Sequence, residues 1–188
     1  YFKIIEIPKI FPYTILKKFK KKLNIGFDPR IFTNITLRRY FNYACNLVAI
    51  SNNLIDEIHI EKKDKKSSHF YILNHKIAGK KVLSKINELS RTLKKKKIDN
   101  IFISAPENVA WLLNIRGKDN PNSPIPNCRA IVTKDKRIFL FTDLSKIKKI
   151  KKLSIYNKIY FKKFNEFFYT INQLKGKNFC IDKLTCSV

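Results

Sequence analysis

At 188 residues the chain is long enough for one ordinary domain with a good core, or for one domain and part of another. Its 44% hydrophobic and 13% aromatic content, with only four glycines and seven prolines, excludes a disordered or fibrous class. The net charge of +26, from 40 Lys and Arg against 14 Asp and Glu, attracts polyanions at low salt, yet most of the excess is Lys and comes with the Asn, Ile, Phe and Tyr that an AT-rich genome favours.

Residues 2–7 alternate as a strand does, and Pro12 followed by Ile15, Leu16 and Phe19 predicts a helix behind a first-turn proline. A short strand follows over 25–27 and ends at Asp28-Pro29. Thr33 or Asn34 can then cap a helix carrying Leu37, Tyr40, Phe41 and Ala44, after which residues 46–51 return to strand. The alternation predicts helices covering a sheet. Residues 61–68 are polar and charged with no apolar period, which marks a linker and a domain boundary.

Beyond Gly79, the apolar residues Val82, Leu83, Ile86, Leu89 and Leu93 predict a long amphipathic helix ending in the run Lys94 to Lys97. A strand over 101–104 and a short helix from Pro106 to Leu113 come next. Residues 130–133 and 138–142 are β-rich and joined by Lys134-Asp135-Lys136-Arg137, which suits a hairpin. A helix over 144–152, a strand over 159–162, a helix over 167–174 and a strand over 179–181 complete the pattern. The lysines at 17, 18 and 20–22, at 94–97, and at 148, 149, 151 and 152 fall on or just after helical patterns, as solvated faces do. No nucleic-acid motif accompanies them.

One comparison is internal to the chain. Tyr13-Thr14-Ile15, a lysine-rich helix end and Asn24-Ile25-Gly26-Phe27-Asp28 match Tyr169-Thr170-Ile171, Lys175-Gly176-Lys177 and Asn178-Phe179-Cys180-Ile181-Asp182, with spacings that differ by two residues. The match predicts two related units. Because the first copy runs on through another helix and strand, the second is expected to continue past Val188. The start at Tyr1, with no Met in the chain, also reads as a piece of a longer protein.

A family resemblance enters at Glu107-Asn108-Val109-Ala110-Trp111-Leu112-Leu113-Asn114-Ile115-Arg116-Gly117-Lys118-Asp119, followed by Asn122-Ser123-Pro124. This resembles the second domain of the three-domain Xaa-Pro aminopeptidases, where an AWL-N-RG-D segment precedes an N-P or S-P step. Gly26-Phe27-Asp28-Pro29 resembles the G-x-D-P step late in the family's first domain, and Asn53-Leu54-Ile55-Asp56-Glu57-Ile58 its N-L-V-D-x-I segment. Ala78-Gly79 resembles the start of the second domain's first helix. The chain departs from the family in its link, where Lys63, Asp64 and Lys65 replace an Arg-Pro-rich stretch.

The resemblance implies an α/β fold made of two creatinase N-terminal-like domains, each a mixed sheet flanked by helices. Residues 1–60 would be the C-terminal part of an incomplete first domain, 61–76 a linker, and 77–188 a nearly complete second domain, truncated at its end. It implies a parent metallo-aminopeptidase that hydrolyses the bond between an N-terminal residue and a following proline. A C-terminal pita-bread domain would do so with two divalent metals, usually manganese, held by two Asp, one His and two Glu. None of those ligands is assigned in this chain, so the segment alone is expected to be inactive and to bind no cofactor. A peptide with proline second, the catalytic domain and a homodimer partner are the implied partners, with no specific nucleic acid and no membrane. The cytoplasm is the default location.

Independent chemistry is sparse. His59, His69 and His75 surround the linker, where flexible backbone lacks the support a metal geometry requires. Cys45, Cys128, Cys180 and Cys186 form no CxxC pair and have no partner His in a predicted element, so buried thiols are the expectation. Trp111, alone of its type, is expected in the core. The candidate cleft or interface loop comprises Trp111, Asn114, Arg116, Gly117, Asp119 and Pro124. Over 116–126 it either faces a cleft or interface, or simply holds an Arg116–Asp119 surface ion pair. A stand-alone basic module binding nucleic acid or acidic partners is the alternative function.

Overall fold

The computed structural model describes residues 3–59, 68–151 and 158–187. The chain forms two compact units: Tyr1–Lys63 with Lys183–Val188, and Asp64–Asp182.

In the first unit, helix α1 (Pro12–Leu16) begins at proline, and strand β1 (Asn24–Phe27) precedes helix α2 (Asn34–Phe41). Thr33 caps α2 through a reciprocal box: its Oγ1 accepts from Thr36 N–H at 3.2 Å, and Thr36 Oγ1 accepts from Thr33 N–H at 2.9 Å. The chain then returns as strand β2 (Asn46–Ala49), parallel to β1 with Asn24 opposite Asn46 and Phe27 opposite Ala49. Parallel strands require such a crossover, and α2 supplies it. Helix α3 (Leu54–Ile58) follows, with Asn53 Oδ1 accepting from Ile55 N–H at 3.0 Å. Asp28 closes the end of β1. Its carboxylate accepts from Arg30 Nε and Nη2 at 3.0 and 2.8 Å and from Asn53 Nδ2 at 3.1 Å. The Arg30 hydrogen bonds hold that carboxyl well below the usual carboxylate range.

The expected strand over 2–7 is not formed by its described residues, 3–7. Ile4 is 91% exposed, and these residues lack a neighbouring strand to satisfy their backbone. Helix α2 also stops short of Ala44, because Asn42 and Tyr43 adopt left-handed backbone (φ 39° and 60°).

The second unit contains strand β3 (Tyr71–Ile72), helices α4 (His75–Ala78) and α5 (Val82–Lys95), strand β4 (Asn100–Ile103), helix α6 (Pro106–Leu113) and strand β5 (Ile115–Arg116). Strands β6 (Cys128–Thr133) and β7 (Ile138–Thr142) make the expected hairpin. A 3-10 turn over Leu144–Ile147 leads into helix α7 (Lys148–Lys151). Strand β8 (Ile159–Lys162), helix α8 (Phe167–Gln173) and strand β9 (Phe179–Ile181) complete the unit. The five-stranded sheet has the order β8-β7-β6-β4-β9. It is mixed: β7–β8 and β4–β9 run parallel, β6–β7 and β4–β6 antiparallel.

Alternation along the strands sends side chains to two faces. Cys128, Ala130, Val132, Ile138 and Leu140 pack with Val82 and Ile86 of α5 and Val109, Leu112 and Leu113 of α6 in one core. On the opposite face, Phe102 and Phe141 meet Phe167 of α8 at ring-centroid distances of 4.8 and 5.2 Å. Helices therefore cover both faces of a mixed sheet.

Of the linker expected over 61–76, residues 61–67 lie outside the described residues. The remainder does not behave as a linker. Phe70 is fully buried in the core, its N–H donates to Lys146 O at 2.8 Å, and Tyr71 and Ile72 pair with Arg116 and Ile115. The physical reason is the apolar run Phe70-Tyr71-Ile72-Leu73, whose burial against the sheet outweighs the entropy of a free segment.

Candidate functional site

The end of α6 and the loop that leaves it bring most of the candidate residues together. Helix α6 buries Val109, Ala110, Leu112 and Leu113, which places Trp111 on the opposite side. Trp111 is 56% exposed, so the expectation of a core tryptophan is overturned by the helix's own period.

Asn114 ends the helix in left-handed backbone (φ 52°, ψ 32°), a conformation Asn tolerates better than most side chains. It is also a junction. Its carbonyl accepts from Leu73 N–H at 2.8 Å, its Nδ2 donates to Lys80 O at 2.9 Å, and its Oδ1 accepts from Lys85 Nζ at 2.6 Å. Lys85 is only 2% exposed. Besides Asn114, its ammonium donates to the backbone carbonyl of Trp111 and lies 4.4 Å from the centroid of the Trp111 ring. Burial, reinforced by the nearby charges of Arg116 and Lys80, pushes the Lys85 ammonium down to about 8.

Lys85 is the important residue that sequence reasoning missed, although a signal was present. It lies three residues after Val82, one before Ile86 and four before Leu89, inside the apolar stripe of α5. A lysine in that stripe must be buried with partners or displace the helix.

Arg116 and Asp119 do not pair with each other, contrary to the ion-pair reading. Arg116 Nη1 donates to the carbonyls of Ala110 at 3.1 Å and Ile115 at 2.9 Å, bridging the last turn of α6 to the start of β5. Asp119 instead pairs with Lys146 and accepts from Asn127 N–H at 2.6 Å, which ties the loop to the 3-10 turn and to the start of β6. Gly117 is needed for close approach: a Cβ there would lie 2.8 Å from Pro126 Cα, and its N–H donates to Pro124 O at 3.1 Å. The loop is thus closed on itself, with an open cleft of about 500 Å³ beside it, bounded by Tyr71, Gly117, Lys118, Asn122 and Pro124.

Among the described residues, no three His, Cys, Asp or Glu side chains gather to hold a metal ion. His69 Nδ1 lies 3.0 Å from Ser145 O, and Cys128 sits fully buried, its thiol pushed up to about 12 by burial. No described helix is long and apolar enough to cross a membrane. The geometry offers a loop braced by Gly117 and Asp119 that carries Arg116 and Lys118. Among the described residues it offers no assembled metal cradle.

Comparison with known proteins agrees with the motif. The model of the creatinase/prolidase N-terminal domain matches residues 61–188. A probable Xaa-Pro aminopeptidase P of Pyricularia oryzae is 39% identical over 103 residues, which is 54% of this chain and 16% of that protein. One from Talaromyces stipitatus is 28% identical over 158 residues, 81% of this chain and 24% of its own. The Xaa-Pro aminopeptidase ApepP of Drosophila melanogaster is 31% identical over 138 residues, covering 71% and 22%. In structure, the X-prolyl aminopeptidase of Caenorhabditis elegans, described as a cytosolic enzyme with a di-nuclear active site, superposes with a TM-score of 0.74. It is 26% identical, over 86% of this chain and 27% of that one. The chain thus spans about a quarter or less of the relatives it matches, and it belongs to the creatinase/prolidase N-terminal domain family, as its similarity to the N-terminal region of aminopeptidase P shows.

Proposed function

We propose that this chain is the non-catalytic N-terminal region of an Xaa-Pro aminopeptidase. In this reading a C-terminal dimetal domain of the same protein hydrolyses the bond between an N-terminal residue and a following proline. The observation that carries it is the pairing of a close structural match to an X-prolyl aminopeptidase with coverage of only 27% of that enzyme, whose active site is dinuclear. The described residues gather no donor set for such a site, so no catalytic step is drawn through them.

The two units are read as two creatinase-type domains, the first incomplete. Support comes from the internal repeat: α1 leads into β1, which pairs in parallel, and α8 leads into β9, which also pairs in parallel. Within the parent, the 116–126 loop is read as facing the catalytic cleft or a dimer interface. An exposed Trp111 braced by a buried Lys85 is a costly arrangement for a plain surface helix. Manganese, a homodimer and the cytoplasm belong to the same reading.

The test is the full-length protein encoded by the reading frame that contains this chain. It should release the first residue from peptides with proline second, lose that activity to a chelator and regain it with manganese. Chelator-resistant hydrolysis, or none on such peptides after metal loading, would overturn the reading.

A further inference from the structure

The first unit carries a second cleft, of about 480 Å³, with a different chemistry. Its floor is Leu37 of α2 and Cys45, which are 6% and 5% exposed. Lys22, Arg38, Asn34 and Tyr43 stand around it.

Two observations set it apart from a solvated lysine face. First, its cations lack partners: among the described residues no carboxylate lies within ion-pair distance of Lys22 or Arg38. Three of the unit's described acids are engaged elsewhere, Glu6 with Lys9, and Asp28 and Asp56 with Arg30, and the fourth, Glu57, makes no ion pair with either cation. The Lys22 charge also bears on the Cys45 thiol, opposing the upward push of burial, so a cation faces the apolar floor.

Second, the wall is held in an unfavourable backbone. Tyr43 is aromatic, adopts φ 60° and leaves its side chain 71% exposed, directly after Asn42 at φ 39°. Left-handed backbone at a bulky residue costs on the order of 1 kcal/mol. Burial of the ring does not offset that cost here, and the turn stands the ring at the rim of the cleft.

We infer that this cleft binds a phosphate monoester with a planar or apolar body: the dianion between Lys22 and Arg38, the body over Leu37 and Cys45 and against Tyr43. Two unpaired cations suit a dianion better than a single carboxylate, and an arginine fork matches two phosphate oxygens. The volume fits a small ligand rather than a polymer.

Phenyl phosphate is the probe, titrated calorimetrically into the whole 188-residue chain at 150 mM salt, with inorganic phosphate and phenol as comparators. One saturable site is expected, with phenyl phosphate binding tighter than either comparator. Lys22→Gln and Arg38→Gln should each weaken it about tenfold or more, as loss of a charge-assisted bond does. The control Lys94→Gln/Lys95→Gln, on exposed lysines of the second unit, should leave it unchanged. Circular dichroism checks that each variant is folded, and amide shifts of the unsubstituted chain should move around Leu37 to Cys45. Absence of saturable binding, equal loss in the control variant, or amide shifts elsewhere would overturn the site.

Discussion

Lys85 concentrates the residue-scale physics of the chain. A lysine buried to 2% exposure with two cations nearby resists being charged, which is why its ammonium sits near 8 against an ordinary 10.5. Because the folded state releases its proton earlier than the unfolded state, the unfolded chain binds more protons between pH 8 and 10.5, and stability rises through that window. A neutral amine keeps two N–H groups, enough for both Trp111 O and Asn114 Oδ1. The thiol of Cys128 acts in the opposite sense from about pH 9 upward, since burial raises it in the folded state. The clean measurement is therefore urea stability of the natural chain minus that of Lys85→Met between pH 7.5 and 9. The difference should grow with pH in favour of the natural chain; a flat difference contradicts the assignment.

Asn114 is the partner that makes this burial possible, and two of its properties can be separated. Asn114→Ala loses the bonds to Lys85 and Lys80 and forces alanine into φ 52°, for a cost of about 2–4 kcal/mol. Asn114→Gly loses the same bonds but keeps the backbone free, so denaturant unfolding should show it about 1 kcal/mol less damaging than the alanine variant.

At the scale of elements, the loop over 116–126 is braced at three points: Gly117 against Pro126, Asp119 on Lys146, and Arg116 on the Ala110 carbonyl in the last turn of α6. Gly117→Ala tests the first. Its new methyl meets backbone rather than a flexible side-chain tip, so a loss of about 1–3 kcal/mol in thermal or urea unfolding is expected. Full stability would show that the loop yields easily.

Periodic elements were readable in advance. Helix α5 shows its stripe over fourteen residues, and the β6–β7 hairpin shows two β-rich runs around a polar turn. Strands β3 and β5 have two residues each, too few to display any period, and they form only because Phe70 and Ile115 are buried beside them. Helix α3 is not among the expected elements, although Asn53 caps it and Asp56 and Glu57 occupy its first turn; five residues are too few to display a helical period. The candidate loop was legible as a motif, but its bracing was not. Asp119 finds Lys146, twenty-seven residues away, and no local rule announces such a contact.

At the scale of the whole molecule, many of the cations behind the net charge of +26 are exposed among the described residues, Lys85 being buried. Lys20 and Lys21 and the runs 94–97 and 148–149 are exposed throughout, as solvated faces are. The core lies in the mixed sheet of the second unit, which is the part the family model matches.

In the proposed function this polypeptide supports chemistry performed elsewhere in a longer protein. The most direct measurement incubates the purified 188-residue chain, loaded with manganese, with a peptide carrying proline second and follows release of the first residue. No release above the buffer rate is expected, beside robust release by the full-length protein. Turnover by the chain alone, scaling with its concentration and surviving repurification, would contradict it.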